Sequence, residues 1–164
     1  MENAPKLSDK HRRDVAIKLT RVLADAYTLY FKTHGFHWNV KGPQFYSLHH
    51  LFEEQYNEMW LALDVIAERI RALGFGVPGS YAQLARLASV KEQTGLPPAE
   101  FMVHELADGH ETVATTIRNA LITAQEAKDD VTVEILTSRL EAHEKAAWML
   151  SASLTPKPAI RKIS

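Results

Sequence analysis

Polar residues recur along the first part of the chain with the period of an α-helix. They follow one another at alternating steps of four and three residues, which leaves the opposite helix face apolar. The polar positions are Asp14, Lys18, Arg21, Asp25, Thr28 and Lys32. Ser8 is a suitable N-cap, and Gly35 is expected to interrupt the helix. The pattern therefore predicts a first long helix from about Ser8 to about His34.

A second long helix is predicted from the Gly42-Pro43 pair to Leu73. Proline is favoured in the first turn of a helix, and a glycine such as Gly74 suits the C′ position just after a helix end. At about 1.5 Å per residue this helix would be roughly 45 Å long. It is the segment in which most of the candidate chemistry lies.

A connection containing glycine, proline and serine follows, from Gly74 to about Leu96. Within it, Ser80 is a suitable cap for a short helix over residues 81–87. Regular structure resumes only at the next proline pair. The sequence therefore predicts one long connection in the middle of the chain, carrying one short helix.

Two more long helices are predicted in the second half of the chain. The third begins at Pro97-Pro98 and fades near Ala127, and the fourth is capped by Asp129 or Asp130 and continues to about residue 153. Two further prolines, at positions 156 and 158, are expected to end regular structure. A short basic tail then remains.

The lengths of the connections predict the topology. About eight residues separate the first two helices and only a few separate the last two, so each pair should be antiparallel. The long middle connection can travel the length of the bundle. Four helices with one long crossover are the ferritin-like arrangement, and no useful period-2 apolar pattern predicts strands. We therefore expect an all-α, ferritin-like four-helix bundle that forms a single domain over residues 1–164.

The composition excludes several kinds of protein and several kinds of metal site. With 164 residues, 46% apolar and 24% charged, the chain fits one globular domain. No apolar run reaches the length of a membrane span, and the N-terminus lacks the apolar segment of a signal peptide. We therefore expect a cytoplasmic protein without membrane association. The absence of cysteine excludes disulfides and thiolate sites, so any metal site must use histidine, carboxylate and water.

The candidate ligands lie on one face of the second helix. His49 and Glu53 are four residues apart, as are Asp64 and Glu68, and all four fall within about a 100° arc. His37 lies just before this helix. Histidine and carboxylate without sulfur suit ferrous iron, and they are also compatible with zinc and manganese.

The two pairs of ligands are too far apart for one chain to bring them together. His49 and Asp64 are separated by fifteen residues, about 22 Å along a straight helix. Two copies of the helix that cross antiparallel about a twofold axis, near Asn57 to Trp60, would join His49 and Glu53 of one chain to Asp64 and Glu68 of the other. This predicts two equivalent sites per dimer, each built from both chains.

Two alternatives compete with the shared site. A di-iron site within one bundle needs Glu-x-x-His pairs, and no glutamate of this chain has a histidine three residues later. The acidic residues could instead form ordinary surface ion pairs, Asp64 with Arg69 or Lys41 and Glu68 with Arg71. The first alternative lacks its motif, whereas the second needs a structure to decide.

The stretch HGFHWNVKGPQFYSLHHLFEEQYNEMWLALDVIAERIRALG resembles the signature of the Dps family, the DNA-binding proteins from starved cells. The later stretch EAKDDVTVEILTSRLEAHEKAAWMLSASL is similar to the last helix of that family. His-Trp followed twelve residues later by histidine, and then Asp-x-x-x-Glu-Arg, is a specific combination. The resemblance spans most of the chain.

This resemblance implies a ferroxidase: a two-iron site that holds Fe(II), oxidises it to Fe(III) and stores the product. It implies that His37, His49 and Glu53 of one subunit face Asp64 and Glu68 of its twofold mate. Many members of the family have aspartate where this chain has Glu53, whose longer side chain affects the second metal position. Trp38 would lie beside the site and intercept oxidising equivalents.

The resemblance further implies an assembly. A hollow dodecamer built on twofold dimers would have iron pores at its threefold axes, and Asp130 and Glu134 are the best pore candidates. Ordinary solvated acids at a helix start are the alternative explanation for these two residues. The sequence leaves open whether peroxide or dioxygen is the preferred oxidant.

DNA binding is the second functional hypothesis, and a catalytically idle helical scaffold is the third. The net charge is −1, but basic residues crowd both ends, in tails over about residues 1–10 and 155–164 and in the first turns of the first helix. Many weak contacts to phosphate from these residues, added over an oligomer, could hold DNA non-specifically and place the protein at the nucleoid. The candidates are Lys6, Lys10, Arg12, Arg13, Lys157, Arg161 and Lys162. An idle scaffold would lack one or more of the ligands, and none is missing.

Overall fold

A computed structural model of the chain describes residues 7–154. Four long helices and one short helix make up the fold. They are α1 (Asp9–Asn39), α2 (Phe45–Ala72), α3 (Tyr81–Leu87), α4 (Ala99–Glu126) and α5 (Asp130–Ala152). No strand occurs among these residues. The prediction of an all-α fold with one short helix in the crossover is confirmed, and the short helix has the predicted bounds.

The long helices form a bundle in which each helix packs against two others. α1 lies between α2 and α4, and α5 closes the bundle by packing against α4 and α2. Side-chain pairs give the directions. Lys32, in the last part of α1, reaches Glu105, near the start of α4. Arg69, near the end of α2, reaches Asp129 at the N-cap of α5. All neighbouring helices are therefore antiparallel, α2 and α4 run the same way, and the crossover travels the length of the bundle, as the connection lengths predict.

The break predicted at Gly35 does not occur. α1 continues through Gly35 to Asn39, and the backbone N–H of Val40 still donates to the carbonyl of Phe36 at 2.8 Å. Gly35 is helical, whereas Gly42 has a φ of 112° that side-chain-bearing residues rarely adopt, so the chain turns at Gly42. The loop between α1 and α2 is consequently residues 40–44, five residues instead of the predicted eight.

The remaining helix ends agree closely with the prediction. α2 begins at Phe45, just after the turn that holds Pro43, and Gly74 follows its C-cap with a φ of 97°. Asp129, one of the two predicted caps of α5, accepts a hydrogen bond from the backbone N–H of Thr132 at 3.1 Å. Asp130 is thus the first helical residue and is exposed.

Apolar residues from the four long helices fill the space between them. The largest fully buried side chains include Leu19, Phe52, Met59, Leu106 and Leu136. Burial of such side chains contributes about 1.5–3 kcal/mol each to the free energy of folding. None of the helices described in the structure is long and apolar enough to cross a membrane.

The crossover is held to the bundle by one buried carboxylate. Asp25 on α1, which is 1% exposed, accepts hydrogen bonds from the backbone N–H groups of Ser89 and Val90. Its other oxygen accepts from the hydroxyl of Thr116 on α4 at 2.6 Å. A single side chain therefore joins the crossover, α1 and α4.

Candidate metal centre

The two histidines predicted as ligands lie face to face. The extra turn of α1 places His37 on a helix, and the short loop brings α2 back alongside it, so that His37 meets His49. Their ring centroids are 3.8 Å apart and their planes differ by 18°. The uninterrupted α1 is therefore the reason that the two rings meet.

Each histidine is oriented by the backbone of the other. Nδ1 of His37 lies 2.8 Å from the carbonyl oxygen of His49, and Nδ1 of His49 lies 2.9 Å from that of His37. A carbonyl can only accept, so both Nδ1 atoms carry the proton and donate it. In neutral rings this leaves both Nε2 atoms with a lone pair, the tautomer that metal-ligating histidines adopt when a second group holds the other nitrogen.

Glu53 lies one helical turn after His49 and is partly exposed. Its Oε2 atom is 3.4 Å from Nδ1 of His50. In one chain the carboxylate is thus turned toward His50, a neighbour on the same helix. His50 itself is exposed, and its ring also lies 5.7 Å from that of His49, in an edge-on arrangement.

Asp64 and Glu68 lie exposed on the other half of α2. The surface ion pairs considered for them are absent from residues 7–154: Arg69 instead binds Asp129, and Arg71 donates to the carbonyl oxygen of Phe75. Neither carboxylate has a hydrogen-bond partner among these residues. Within residues 7–154 of one chain, Asp64 and Glu68 are therefore exposed carboxylates that form no ion pair.

Within residues 7–154 of one chain, no group of three histidine, aspartate or glutamate side chains is placed to hold a metal ion. His49 and Asp64 are separated by about four turns of one helix, or about 22 Å. One chain therefore brings together only His37 and His49, and a site that contains all five candidate ligands requires a second chain.

Large apolar side chains are exposed on α2 between and beside the candidate ligands. Trp60, Leu61 and Val65 are 54%, 71% and 49% exposed, respectively. The ring of Trp60 lies 5.3 Å from that of Tyr30, so it packs within the chain although more than half of the residue is exposed. Exposed apolar residues that adjoin one another on a helix are typical of a surface that another protein chain covers.

Aromatic rings surround the histidine pair, and the sequence analysis singled out only one of them. Trp38 is 62% exposed, and its ring lies 4.4 Å from that of His34. Tyr56, which was not identified, stacks on His34 at 3.9 Å and approaches His37 edge-on at 5.1 Å. The signal that could have found Tyr56 is its spacing of seven residues from His49, which places it on the same face of α2.

The acidic pore candidates occupy the first turns of α5. Asp130 and Glu134 are both exposed, whereas the adjacent Asp129 is buried and binds Arg69. Burial acts to raise the pKa of Asp129, but the hydrogen bonds from Thr132 and Arg69 outweigh it and hold the pKa below its ordinary value. A pore formed by Asp130 and Glu134 needs further chains and remains a prediction.

The basic residues proposed to bind DNA are only partly described. Lys10 binds Asp14 at 2.6 Å, Arg12 binds Asp9, and Arg13 is exposed. The other four candidates lie outside the described residues. They are Lys6, Lys157, Arg161 and Lys162. Two of the three described cations therefore already have a carboxylate partner.

Comparison with known proteins identifies the family. The Ferritin-like domain family matches residues 17–156. A low temperature-induced protein of Nostoc sp. is 40% identical over 154 residues, which are 93% of this chain and 86% of that protein. The DNA protection during starvation protein of Brevibacillus brevis is 38% identical over 140 residues, which cover 85% of this chain and 94% of that protein.

Solved structures agree with this assignment. The crystal structure of the Dps protein from Vibrio cholerae O1 superposes with a TM-score of 0.85 at 31% identity, covering 92% of this chain and 98% of that one. The match therefore includes both the helices that carry the candidate ligands and the crossover between the two halves of the bundle. The chain belongs to the Dps family of ferritin-like proteins.

Proposed function

We propose that this protein oxidises Fe(II) at sites shared between two copies of the chain and stores the Fe(III) product. The observation that carries the proposal is the reciprocal hydrogen bonding of His37 and His49, which leaves the Nε2 atom of each neutral ring with a lone pair. Two further carboxylates without partners lie on the far half of the same helix. Iron is the substrate of this site and also the material that the assembly stores.

A twofold crossing of α2 with its copy would complete the site. The pair His37 and His49, with Glu53 of one chain, would face Asp64 and Glu68 of the other, and the same contact would cover Trp60, Leu61 and Val65. The Vibrio cholerae structure is described as belonging to the ferritin-like diiron-carboxylate proteins. That description agrees with a ligand set of histidines and carboxylates.

The proposed reaction uses two Fe(II) ions and one peroxide. Each iron loses one electron, the O–O bond breaks, and two protons complete two water molecules. The carboxylates offset the charge of the metal ions, and the histidine rings stay in place because backbone carbonyls hold their Nδ1 protons. Because both electrons arrive together, no hydroxyl radical is released. Peroxide is proposed as a faster oxidant than dioxygen.

Storage needs an enclosed space, for which we propose a dodecamer built from these dimers. Asp130 and Glu134 would line the pores at its threefold axes, where exposed carboxylates attract cations. Trp38 is proposed to intercept oxidising equivalents that leave the site. The dodecamer, the pores and the role of Trp38 rest on the family resemblance.

Non-specific DNA binding is a second candidate function. The relative from Brevibacillus brevis is named for DNA protection during starvation. In this chain the basic residues of both tails, together with Arg13, would contact phosphates. If DNA compaction were the main role, iron binding would be secondary. The two functions can coexist, since they would use different residues.

Replacing both ligand histidines tests the iron-oxidation proposal. In the double variant His37→Ala with His49→Ala, the fast phase of Fe(II) oxidation by peroxide should fall about 10- to 100-fold or more, because ligand imidazoles are lost. Native mass spectrometry should show an unchanged assembly. His104→Ala is the matched control, since His104 is exposed on α4, a helix that carries none of the proposed ligands. An unchanged rate in the double variant would contradict the site assignment.

A further inference from the structure

Four of the five tyrosines of this chain form one series of neighbouring rings. The series begins at Tyr56, whose ring lies 5.1 Å from that of His37. From there the ring centroids are 6.4 Å apart between Tyr56 and Tyr30, 5.9 Å between Tyr30 and Tyr27, and 6.0 Å between Tyr27 and Tyr81. The tyrosine series therefore connects a proposed iron ligand to the short helix of the crossover.

The tyrosine series has a proton acceptor at its far end. A phenol that loses an electron must also lose its proton, so it is oxidised readily only where a base is hydrogen-bonded to its hydroxyl. Tyr81 donates its hydroxyl hydrogen to Oε1 of Glu92. Burial, followed by the bond to Glu92, raises the pKa of Tyr81 to about 12. Its hydroxyl is therefore intact at neutral pH and already points at the group that can take the proton.

The middle of the series is also ordered by a hydrogen bond. The hydroxyl of Tyr30 lies 3.2 Å from Nδ1 of His34, and the His34 ring stacks on Tyr56. Tyr30 is the branching point, because its ring contacts Tyr27, Tyr56 and Trp60. Trp38, in contrast, adjoins His34 on the exposed side and leads to no further tyrosine in the described part of the chain.

Resting on the proposed function, we propose that the tyrosine series donates the second electron to peroxide when a site holds only one Fe(II). The iron supplies one electron and the O–O bond breaks into hydroxide and hydroxyl radical. An electron passes from Tyr81 through Tyr27, Tyr30 and Tyr56 and converts the hydroxyl radical to a second hydroxide. The proton of Tyr81 moves to Glu92, and a neutral tyrosyl radical remains on Tyr81.

The next Fe(II) to bind restores the series. It gives one electron back to Tyr81, which recovers its proton from Glu92. The sum is two Fe(II) and one peroxide converted to two Fe(III) and two hydroxides, the same balance as when both irons are present at once. Between the two binding events, the series thus lacks one electron, and the tyrosyl radical that records it lies on Tyr81 in the crossover.

The test is freeze-quench electron paramagnetic resonance on the assembled protein. Protein loaded anaerobically with one Fe(II) per proposed site is mixed with peroxide, and a spin trap in a parallel sample reports hydroxyl radical. Ring-deuterated tyrosine distinguishes a tyrosyl from a tryptophan radical. Tyr30→Phe removes the oxidisable ring in the middle of the series. Tyr46→Phe is the matched control, because Tyr46 lies on α2, is 75% exposed and stands outside the series.

The unmodified chain and Tyr46→Phe should give a tyrosyl signal with little trapped hydroxyl radical. Tyr30→Phe should lose most of the signal and increase the trapped radical several-fold. Iron oxidation without a tyrosyl signal, or equal trapping in the two variants, overturns the inference and leaves the proposed function intact. Failure of the unmodified chain to oxidise Fe(II), even with two ions per site, counts against the proposed function as well.

Discussion

Arg69 on α2 and Asp129 at the N-cap of α5 form a partly buried ion pair, with Nη2 and Oδ1 2.7 Å apart. The guanidinium also donates from Nε to the hydroxyl of Thr132 at 2.9 Å. This pair fixes the end of the ligand-bearing helix, one residue after Glu68, to the start of the helix that carries Asp130 and Glu134. The positions of the proposed iron site and the proposed pore are therefore linked within one subunit.

Arg69→Ala should lower the free energy of unfolding by about 3 kcal/mol, because Asp129 would be left buried without its cation. Urea denaturation at a fixed protein concentration measures the change. Arg71→Ala is the matched control, since Arg71 is exposed on the same helix and should cost less than about 1 kcal/mol. Equal losses in the two variants would show that the Arg69–Asp129 pair has no special role in stability.

Mixing two inactive variants tests whether each site is shared. His49→Ala and Asp64→Ala homodimers each contain two damaged sites and should oxidise iron slowly. In a mixed dimer, the intact His49 of one chain meets the intact Asp64 of the other, which gives one intact site. The second site contains both substitutions. Random re-pairing makes about half of the dimers mixed, so co-refolding should restore roughly a quarter of the sites in an isologous twofold interface. A site within one chain would show no recovery of the fast oxidation phase.

Binding of DNA through the tails should depend steeply on salt. Neutralising six or more phosphates would make the affinity fall roughly a thousandfold or more between about 50 and 200 mM salt. Gel shifts with chains lacking residues 1–10 or 155–164 would assign the effect to a tail. Lys91→Gln, an exposed change in the crossover, is the control. Full binding after both deletions would exclude the tails as the DNA-binding element.

The buried pair His110 and His143 should make the free energy of unfolding depend on pH in the acidic range. Their Nδ1 atoms are 2.8 Å apart, and burial lowers the pKa of His110 to about 3. Burial, then His110 and Arg139, hold the pKa of His143 well below its ordinary value. Below about pH 6.5 the unfolded chain therefore binds protons that the folded chain does not, and stability is lost as the pH falls toward 3.

Each of these histidines contributes a slope of about 1.4 kcal/mol per pH unit between its two pKa values. His110→Gln should reduce the slope of unfolding free energy against pH by about that amount, whatever it does to stability at pH 7. His104→Gln, at an exposed position on the same helix, should leave the slope unchanged. Indistinguishable slopes in the two variants would mean that His110 is protonated in the folded chain.

The helices and their order could be predicted because each has a period of apolar residues and a chemical signal at its ends. Ser8, Ser80 and Asp129 were identified as cap candidates from residue type alone, and each side chain accepts a hydrogen bond in the structure. Gly35 misled the prediction because glycine is compatible with both a helix and a break, and only the φ angles distinguish Gly35 from Gly42.

Less of the candidate site than of the fold could be predicted from the sequence. Spacing on one helix could place His49, Glu53, Asp64 and Glu68 on a common face, because helix geometry is local. The partners of a side chain on other helices depend on how those helices pack. For that reason the contacts between Arg69 and Asp129, between His110 and His143, and along the tyrosines could not be found by spacing.

The Asp25 carboxylate has a consequence for how the molecule opens. Since Asp25 holds Ser89, Val90 and Thr116 at once, separating the crossover or α4 from α1 would break hydrogen bonds to a buried side chain. Amide hydrogens of Ser89 and Val90 should therefore exchange with deuterium as slowly as those in the middle of α1. We therefore expect the crossover, although it lies outside the four long helices, to open together with the core and not as an independent loop.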